Sequence, residues 1–565
     1  MKNRELARIF SRMADAIEFK GGDRFRVIAY RRAAATLEEL TEDIETVSRE
    51  GQLQELPGIG KAIASKIDEY LKTGMIKKYE EELEGIPEEL LDLMNIHDMG
   101  PKTLALIYEK LGIRNLEGLK RTVSDGSLTK LAGMGEKRVE NIRRSIEIFE
   151  KSQERIPLPE AVEISEKIID YLNAFPGVAQ AVAAGSLRRM RETIGDIDIL
   201  ATGTEGEKII EYFTAYPRTE RVIASGGTKG SILVRTDGEM RQVDLRILPQ
   251  ELFGSALLYF TGSKEHNIRL RTIARERGLK ISEYGVFRGE ERVAGRNEEE
   301  VYRTLDLPYI PPELREDRGE IEAAYEGKLP KLVEYSDIKG DLHVHSDYSD
   351  GSSTILEMAE FAKSLNYHYV AICDHSKSVR YAGGLTEDKL REQMSEIDRL
   401  NTRSKVKILK GTEVDILKDG SLDFDDKVLE ELDLVIAAIH SGFKQNVTDR
   451  TIKAIEDPNV DIIAHPSGRL ISKREGYEVD IEAIIERAKR YGKMLELNAY
   501  PDRLDLNDQN LRRAKDTGVR VSIGTDAHAA AQMRWMRFGV GTARRGWLEK
   551  RDIINTLDEC PQAQT

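Results

Sequence analysis

AAGSLRRMRETIGDIDIL, residues 183–200, carries the reading that decides the fold of the first half of the chain. A short apolar run leads into Gly185-Ser186, a helix start, and Arg188 and Arg189 follow. A second apolar run carries Asp196 and Asp198. Residues two apart on a strand share a face, so both carboxylates point together. Ile194, Ile197 and Ile199 imply that this strand is largely buried. Two carboxylates side by side there repel and lose hydration unless a cation pairs them. A third acid, Asp244, lies on another strand-like run, RQVDLRIL at 241–248. Three carboxylates on adjacent strands suit two Mg²⁺ (or Mn²⁺) ions, and with them the charge that develops in phosphoryl transfer.

Upstream, residues 1–150 are helical in pattern and repeat one motif three times: LPGIGKAIASKI at 56–67, HDMGPKTLALIYEKL at 97–111 and LAGMGEKRVENI at 131–142. Each predicts two helices meeting at a tight turn, with glycines (Gly58, Gly60, Gly100, Gly133, Gly135) that allow positive φ. The N–H groups opening the second helix then face outward and attract phosphate without reading a base. Asp98 replaces the first glycine of the second copy. Downstream, 261–280 holds six basic residues against two acidic ones, and RFRVIAYRR at 24–32 holds only basic charges. These local excesses make the net charge of −14 neutral with respect to nucleic-acid binding.

Residues 306–335 mix proline and charge as a linker would. Beyond Asp341 strand-like and helical runs alternate seven times, which predicts a parallel barrel with one strand fewer than the usual eight. Seven of the nine histidines lie here. HVHSDYSDG contributes His343, His345 and Asp350, and AICDH contributes His375. Glu413, His440, His465, Asp526 and His528 come from KGTEVD, IAAIHSG, IIAHPSG and IGTDAH. Most follow a strand-like run, and strand ends of a parallel barrel converge on one face. Six imidazoles and three carboxylates without a thiolate form an N/O donor set suited to Mn²⁺ or Zn²⁺, and their number implies a cluster of ions rather than one. His368 fits no motif and is expected to pack; Asp374 and Asp415 are expected behind the ligands.

At 565 residues the chain predicts about three to five domains. No apolar run is long enough for a membrane span. Cys373 and Cys560 form no disulfide framework, so the cytosol is the expected compartment.

The Gly-Ser turn and the three acids resemble the nucleotidyltransferase superfamily, which includes family X DNA polymerases, RNA-tailing enzymes and small-molecule adenylyltransferases. LLYFTGSKEHNIRLR at 257–271 resembles the thumb entrance of family X DNA polymerases. The resemblance implies that Gly185, Ser186 and Arg189 hold a triphosphate. It also implies that Tyr259 and Phe260 exclude a ribose hydroxyl, that Gly262 allows close approach, and that Asn267 and Arg271 face the minor-groove side of the nascent pair. Gln242 departs from the family, which has an arginine there to orient the third carboxylate. Residues around the first glycine motif resemble the small lyase domain of DNA polymerase beta. Lys66 matches its Schiff-base nucleophile, with Arg26, Tyr30 and Lys78 as helpers; Ala62 stands where the family has a second lysine. The histidine pattern resembles the PHP (polymerase and histidinol phosphatase) domain, with all nine ligand positions filled.

The organisation this implies is a lyase-like helical domain at 1–80 and a fingers-like helical domain at 81–154. A nucleotidyltransferase palm at 155–250, a thumb at 251–318, a linker at 319–336 and an α/β PHP barrel at 337–565 follow. The expected function is synthesis on gapped or primed double-stranded DNA from deoxynucleoside triphosphates in base excision repair, by a monomer. A Mn²⁺-dependent 3′–5′ exonuclease, cleavage at abasic sites and a 5′-deoxyribose phosphate lyase are expected beside it. Three alternatives stand: a barrel acting on a small phosphomonoester or pyrophosphate, an RNA-tailing enzyme, and a non-catalytic DNA-end scaffold.

Overall fold

The computed structural model describes residues 2–40, 44–96, 99–153, 155–236 and 239–559. Asp98 and Cys560 lie outside the described residues. The N-terminal region is all helical and has two apolar clusters, one drawing on Leu6 through Ile76 and one on Leu90 through Ile146. In the glycine motifs only the first glycine takes positive φ, +74° at Gly58 and +78° at Gly133. Gly60 and Gly100 instead cap the following helices, Lys61–Thr73 and Pro101–Leu111, with negative φ, −78° and −59°. The Gly135 carbonyl accepts from the Arg138 amide at 2.9 Å at the start of the helix that follows it. Positive φ is thus needed only where the chain reverses, and the second glycine leaves the helix N-terminus without a side chain over it.

The palm is a five-stranded sheet of β1 (Val178–Ala183), β2 (Ile197–Gly203), β3 (Thr219–Ser225), β4 (Lys229–Thr236) and β5 (Glu239–Leu248), in the order β1-β2-β5-β4-β3. β2 and β5 run parallel, the other pairs antiparallel. Alternation along β5 buries Val243, Leu245 and Ile247 and leaves Gln242, Asp244 and Arg246 on the opposite face. The thumb follows, with helices Phe253–Thr261, Lys264–Glu276 and Glu298–Arg303 around a core that holds Leu270, Val301 and Tyr302.

Residues 319–336, expected as a linker, are no free connection. Helix Glu320–Tyr325 packs Ile321 and Ala324 into the thumb core, and buried Glu320 accepts from the amides of Asp317 and Arg318 and contacts His266 Nδ1 at 2.6 Å.

The C-terminal domain has seven parallel strands in chain order: β6 (Gly340–Val344), β7 (Tyr369–Ile372), β8 (Lys407–Asp415), β9 (Leu434–Ala438), β10 (Ile462–Ile463), β11 (Met494–Asn498) and β12 (Val521–Gly524). The sheet curls until its ends meet: the Asp526 amide donates to the His343 carbonyl at 2.9 Å, and the His345 amide to that of Ala527 at 2.8 Å. Leu342, Tyr369, Ala371, Leu434, Ile436 and Ile462 form a separate cluster from residues such as Val370, Val435 and Ala437, which pack with the helices.

Candidate metal centres

β2 and β5 place the three palm carboxylates by register, since Asp198 and Asp244 are direct partners across the parallel pair. Asp196 precedes β2 and is exposed, and all three offer oxygens within 4.8 Å of one another. Burial, then the charges of Asp196 and Asp244, push Asp198 up to about 7. A carboxyl so burdened fits a divalent cation, which relieves the repulsion that raises it. Asp244 Oδ1 accepts from Ser231 Oγ at 2.6 Å and from Gln242 Nε2 at 3.0 Å. Gln242 therefore holds the carboxylate where the resemblance leads one to expect an arginine, but without that charge. Arg246 lies over the Phe260 ring at 4.6 Å.

Gly185 has φ +61°, and a Cβ there would stand 2.5 Å from Asp198 Oδ2, so the turn needs glycine to approach the acid. Arg189 reaches from this turn to Glu316 at 3.0 Å and to the Thr261 carbonyl beside Gly262. Ser186 lies between Gly185 and the arginines, half-buried. Arg188 pairs with both oxygens of Glu298 at 2.9 and 2.7 Å, and Arg315 joins the same carboxylate. Tyr259 and Phe260 meet edge to face at 5.1 Å, and Asn267 Nδ2 donates to the Tyr259 carbonyl at 2.8 Å. Arg271 is exposed one helical turn beyond Asn267.

At the barrel the nine predicted ligands meet in overlapping groups. His343, His345 and Asp526 make one, His375, Glu413 and His440 a second, and His345, Asp350, His375 and His528 a third. His465 Nε2 stands 2.9 Å from Glu413 Oε1, which joins it to the second group. Imidazole nitrogens about one ion lie roughly 3 Å apart, given bond lengths of about 2.0–2.1 Å. Here Nε2 of His345 is 3.2 Å from Nε2 of His343 and 3.1 Å from Asp526 Oδ1. Nδ1 of His345 and of His465 is buried with no hydrogen-bond partner among the described residues. Nitrogen lone pairs aimed at one another, and buried nitrogens left over, fit bound cations better than they fit a packed core.

The electrostatics agree. Burial, with His528 and His375 nearby, lowers His345 to about 3. Burial would lower His375 and His528 too, but Glu413 and Asp350 lift His375 to about 10, and Asp350 lifts His528 to about 9. Glu413 and Asp526 stay well below the carboxylate range despite burial, because imidazoles surround them.

Several supporting residues carry no metal-binding signature in the sequence. Glu496 Oε1 is 2.6 Å from His343 Nδ1, and its other oxygen accepts from the His465 amide at 2.7 Å. Asn498 Nδ2 donates to Asp526 at 3.1 Å. Arg503 stands 3.6 Å from Asp526 with Nη1 unpaired among the described residues. Alternation of Glu496 and Asn498 along β11 was the available signal. Asp374 accepts from Ser346 and Gln393, and Asp415 from the His440 amide at 2.9 Å. His368, expected to pack, is instead exposed, 3.6 Å from Asp558, because it lies before β7 rather than after a strand.

Lys66 sits apart from both centres, in the helical N-terminal region. Its Nζ donates to the Ala62 carbonyl at 3.0 Å and lies 5.9 Å from the Tyr30 ring centroid. Arg26 and Lys78 both engage Glu82.

Comparison with known proteins follows the same divisions. The chain matches the Helix-hairpin-helix domain family over 1–76, the SAM-like Helix-hairpin-helix tandem over 90–147 and the DNA polymerase beta palm over 155–224. It matches the DNA polymerase beta thumb over 256–316 and the PHP domain over 341–500. It is 42% identical over 561 residues to the DNA polymerase/3′-5′ exonuclease PolX of Bacillus subtilis (strain 168), covering 98% of this chain and 97% of that one. DNA polymerase lambda of Rattus norvegicus is 27% identical over 324 residues, 52% of this chain and 53% of that one. A probable phosphatase of Thermoanaerobacter sp. (strain X514) is 29% identical over 231 residues, 38% of this chain and 89% of that one. With helical hairpins, palm, thumb and barrel each matched, and one relative aligned almost end to end, the chain belongs to the family X DNA polymerases that carry a C-terminal PHP domain.

Proposed function

We propose that this chain fills short gaps in DNA during base excision repair and trims 3′ ends at a separate centre in its barrel. The observation that carries the reading is the presence on one chain of two separate groups of side chains that could hold metal ions, one of oxygens alone and one of nitrogen and oxygen. Asp196, Asp198 and Asp244 would hold Mg²⁺, or Mn²⁺, at the palm. The nine barrel ligands would hold a Mn²⁺ and/or Zn²⁺ cluster. When bound, such ions supply Lewis-acid charge to a phosphate ester and lower the pKa of a coordinated hydroxyl or water.

The chain's own groups do the rest. Gly185, Ser186 and Arg189 bind the triphosphate of a deoxynucleotide, Arg189 exchanging Glu316 for phosphate oxygens. Tyr259 and Phe260 stand against the sugar and exclude a 2′-hydroxyl. Asn267 and Arg271 face the minor-groove side of the nascent pair. The hairpin glycines Gly58, Gly60, Gly100, Gly133 and Gly135 bring helix N-termini to DNA phosphates on either side of the gap. At the barrel mouth Arg503 holds the scissile phosphate, and the same centre incises abasic sites. Lys66 attacks the aldehyde of a 5′-deoxyribose phosphate as a lyase; borohydride trapping of that adduct, lost in Lys66→Ala, tests this part. The protein acts as a monomer in the cytoplasm.

A second reading of the barrel, hydrolysis of a small phosphomonoester or pyrophosphate, is favoured by the 89% coverage of the probable phosphatase. One experiment separates the two. A 5′-labelled primer on one-nucleotide-gapped DNA is incubated with Mn²⁺, with and without deoxynucleotides. Wild type should extend with nucleotides and shorten the primer without them. His343→Ala should lose only shortening and Asp244→Ala only extension. Extension with no shortening by wild type, together with release of phosphate from a small ester, would assign the barrel to the second reading. Incorporation of ribonucleotides as readily as deoxynucleotides would point to an RNA-tailing enzyme instead.

A further inference from the structure

The barrel does not merely follow the polymerase in sequence; the last α-helix among the described residues, Met536–Arg545, is built into the turn read as nucleotide-binding. Phe538 lies in the apolar core of the palm, and a Cβ on Gly541 would collide with Met190 at 2.4 Å. At the end of this helix, Arg545 Nη1 donates to the Arg189 carbonyl at 2.8 Å and to Glu316 Oε1 at 2.9 Å. Its Nη2 donates to Asp508 Oδ2 at 2.7 Å, and Arg318 reaches the same oxygen at 3.0 Å. Glu316 is thus shared by three guanidinium groups: Arg189 at 3.0 Å, Arg191 at 3.2 Å and Arg545. Arg545 is 5% exposed and Glu316 10%.

We propose that Arg545 is a positioning residue of the nucleotide site, which, by sharing Glu316, sets how firmly Arg189 is held away from the incoming triphosphate. The inference rests on the reading of Arg189 as a triphosphate ligand. For Arg189 to turn to phosphate it must leave Glu316. A nearly buried carboxylate deserted by its cation is unfavourable. Arg545 removes that obstacle, because Asp508 and the Arg189 carbonyl fix its guanidinium in place and it stays on Glu316 when Arg189 departs. Arg191 alone is a weaker substitute, being 39% exposed and screened by water. The low position of Glu316, held at about 2 against burial by Arg545 and Arg189, accords with this sharing. The barrel therefore contributes a charge to nucleotide binding from outside the polymerase domains.

The test uses the full chain and steady-state gap filling. Arg545→Met leaves Glu316 to Arg189 and Arg191, and should raise KM for the deoxynucleotide about tenfold with kcat little changed. Arg545→Lys should recover part of the effect. Adding Glu316→Gln to Arg545→Met removes the charge that traps Arg189 and should restore KM. Exonuclease activity on single-stranded DNA and the thermal midpoint are read on the same preparations, and exonuclease should not change. Three results overturn the inference: an unchanged KM in folded Arg545→Met, failure of the added Glu316→Gln to restore KM, or equal losses of kcat and exonuclease, which mark a structural role. Arg189→Ala separates the layers. If it raises KM while Arg545→Met does not, the sharing alone fails; if it leaves KM unchanged, the reading of Arg189 fails and takes the inference with it.

Discussion

At the scale of single residues, the barrel centre divides into the side chains that could touch a metal and those that hold them in place. Glu496 belongs to the second kind: it faces His343 Nδ1 at 2.6 Å and leaves Nε2 toward the cluster. A carboxylate behind an imidazole fixes its tautomer and raises its basicity as a ligand. Glu496→Gln keeps the shape and removes the charge. It should weaken Mn²⁺ activation of 3′ trimming by about 10- to 100-fold while gap filling is unchanged. A Mn²⁺ titration of both activities checks this, and an unaltered exonuclease curve would reduce Glu496 to a packing residue. The nine candidate ligands were legible because histidine is scarce and most of them stand in a short Gly-, Ser- or Asp-containing motif at or after an apolar run. Glu496 was not, because its partner is 153 residues away and glutamate on a strand is common. His368 shows the converse: a histidine in the right domain but at the wrong end of a strand.

At the scale of elements, the seven barrel strands could be read because parallel strands covered on both faces are near-continuous apolar runs. The helix at Glu320–Tyr325 could not. Six residues, of which only Ile321 and Ala324 are buried apolar ones, carry too little periodicity, and the helix is held by their place in the thumb core and by the contact of buried Glu320 with distant His266. The palm shows how an element fixes a site. Direct register of Asp198 with Asp244 follows from the parallel β2–β5 pair, and the approach of Gly185 follows from its positive φ. Gly185→Ala asks both for a left-handed backbone in a residue with a Cβ and for that Cβ to displace Asp198. Misplacing a reacting group by about 1 Å can lower a rate about 10²-fold. Gap filling should fall by that order in Gly185→Ala, while trimming by the barrel persists. Single-turnover extension and exonuclease assays on one preparation measure the two, and retained extension would show that the turn can relax.

At the scale of the molecule, boundaries read from sequence motifs hide how far the parts share their interiors. Leu504 and Phe538 of the barrel lie in the palm core, and Trp547 lies in that of the thumb. Charges seal the same seams: Arg188 and Arg315 on Glu298 between palm and thumb, and Arg189 of the palm and Arg545 of the barrel on Glu316 at the end of the thumb. Against burial, Arg315 and Arg188 hold Glu298 at about 2, and Arg545 and Arg189 hold Glu316 at about 2. An unfolded glutamate titrates near 4.3, so the unfolded chain takes up these protons first as pH falls. The stabilisation is therefore complete above about pH 4.5 and disappears as pH drops toward 2. Each carboxylate contributes on the order of 3 kcal/mol at neutral pH by this linkage. The thermal midpoint of wild type should fall steeply between pH 4.5 and 3. Glu316→Gln, which has no proton to gain there, should begin lower at pH 7 and fall less over the same interval. Because many other carboxylates titrate in that range, the difference between the two curves carries the information. Parallel curves would mean that Glu316 holds its proton as an exposed glutamate does, and the seam between palm and barrel would then rest on its apolar contacts and on the pairs of Arg469 with Glu192 and Arg537 with Glu166.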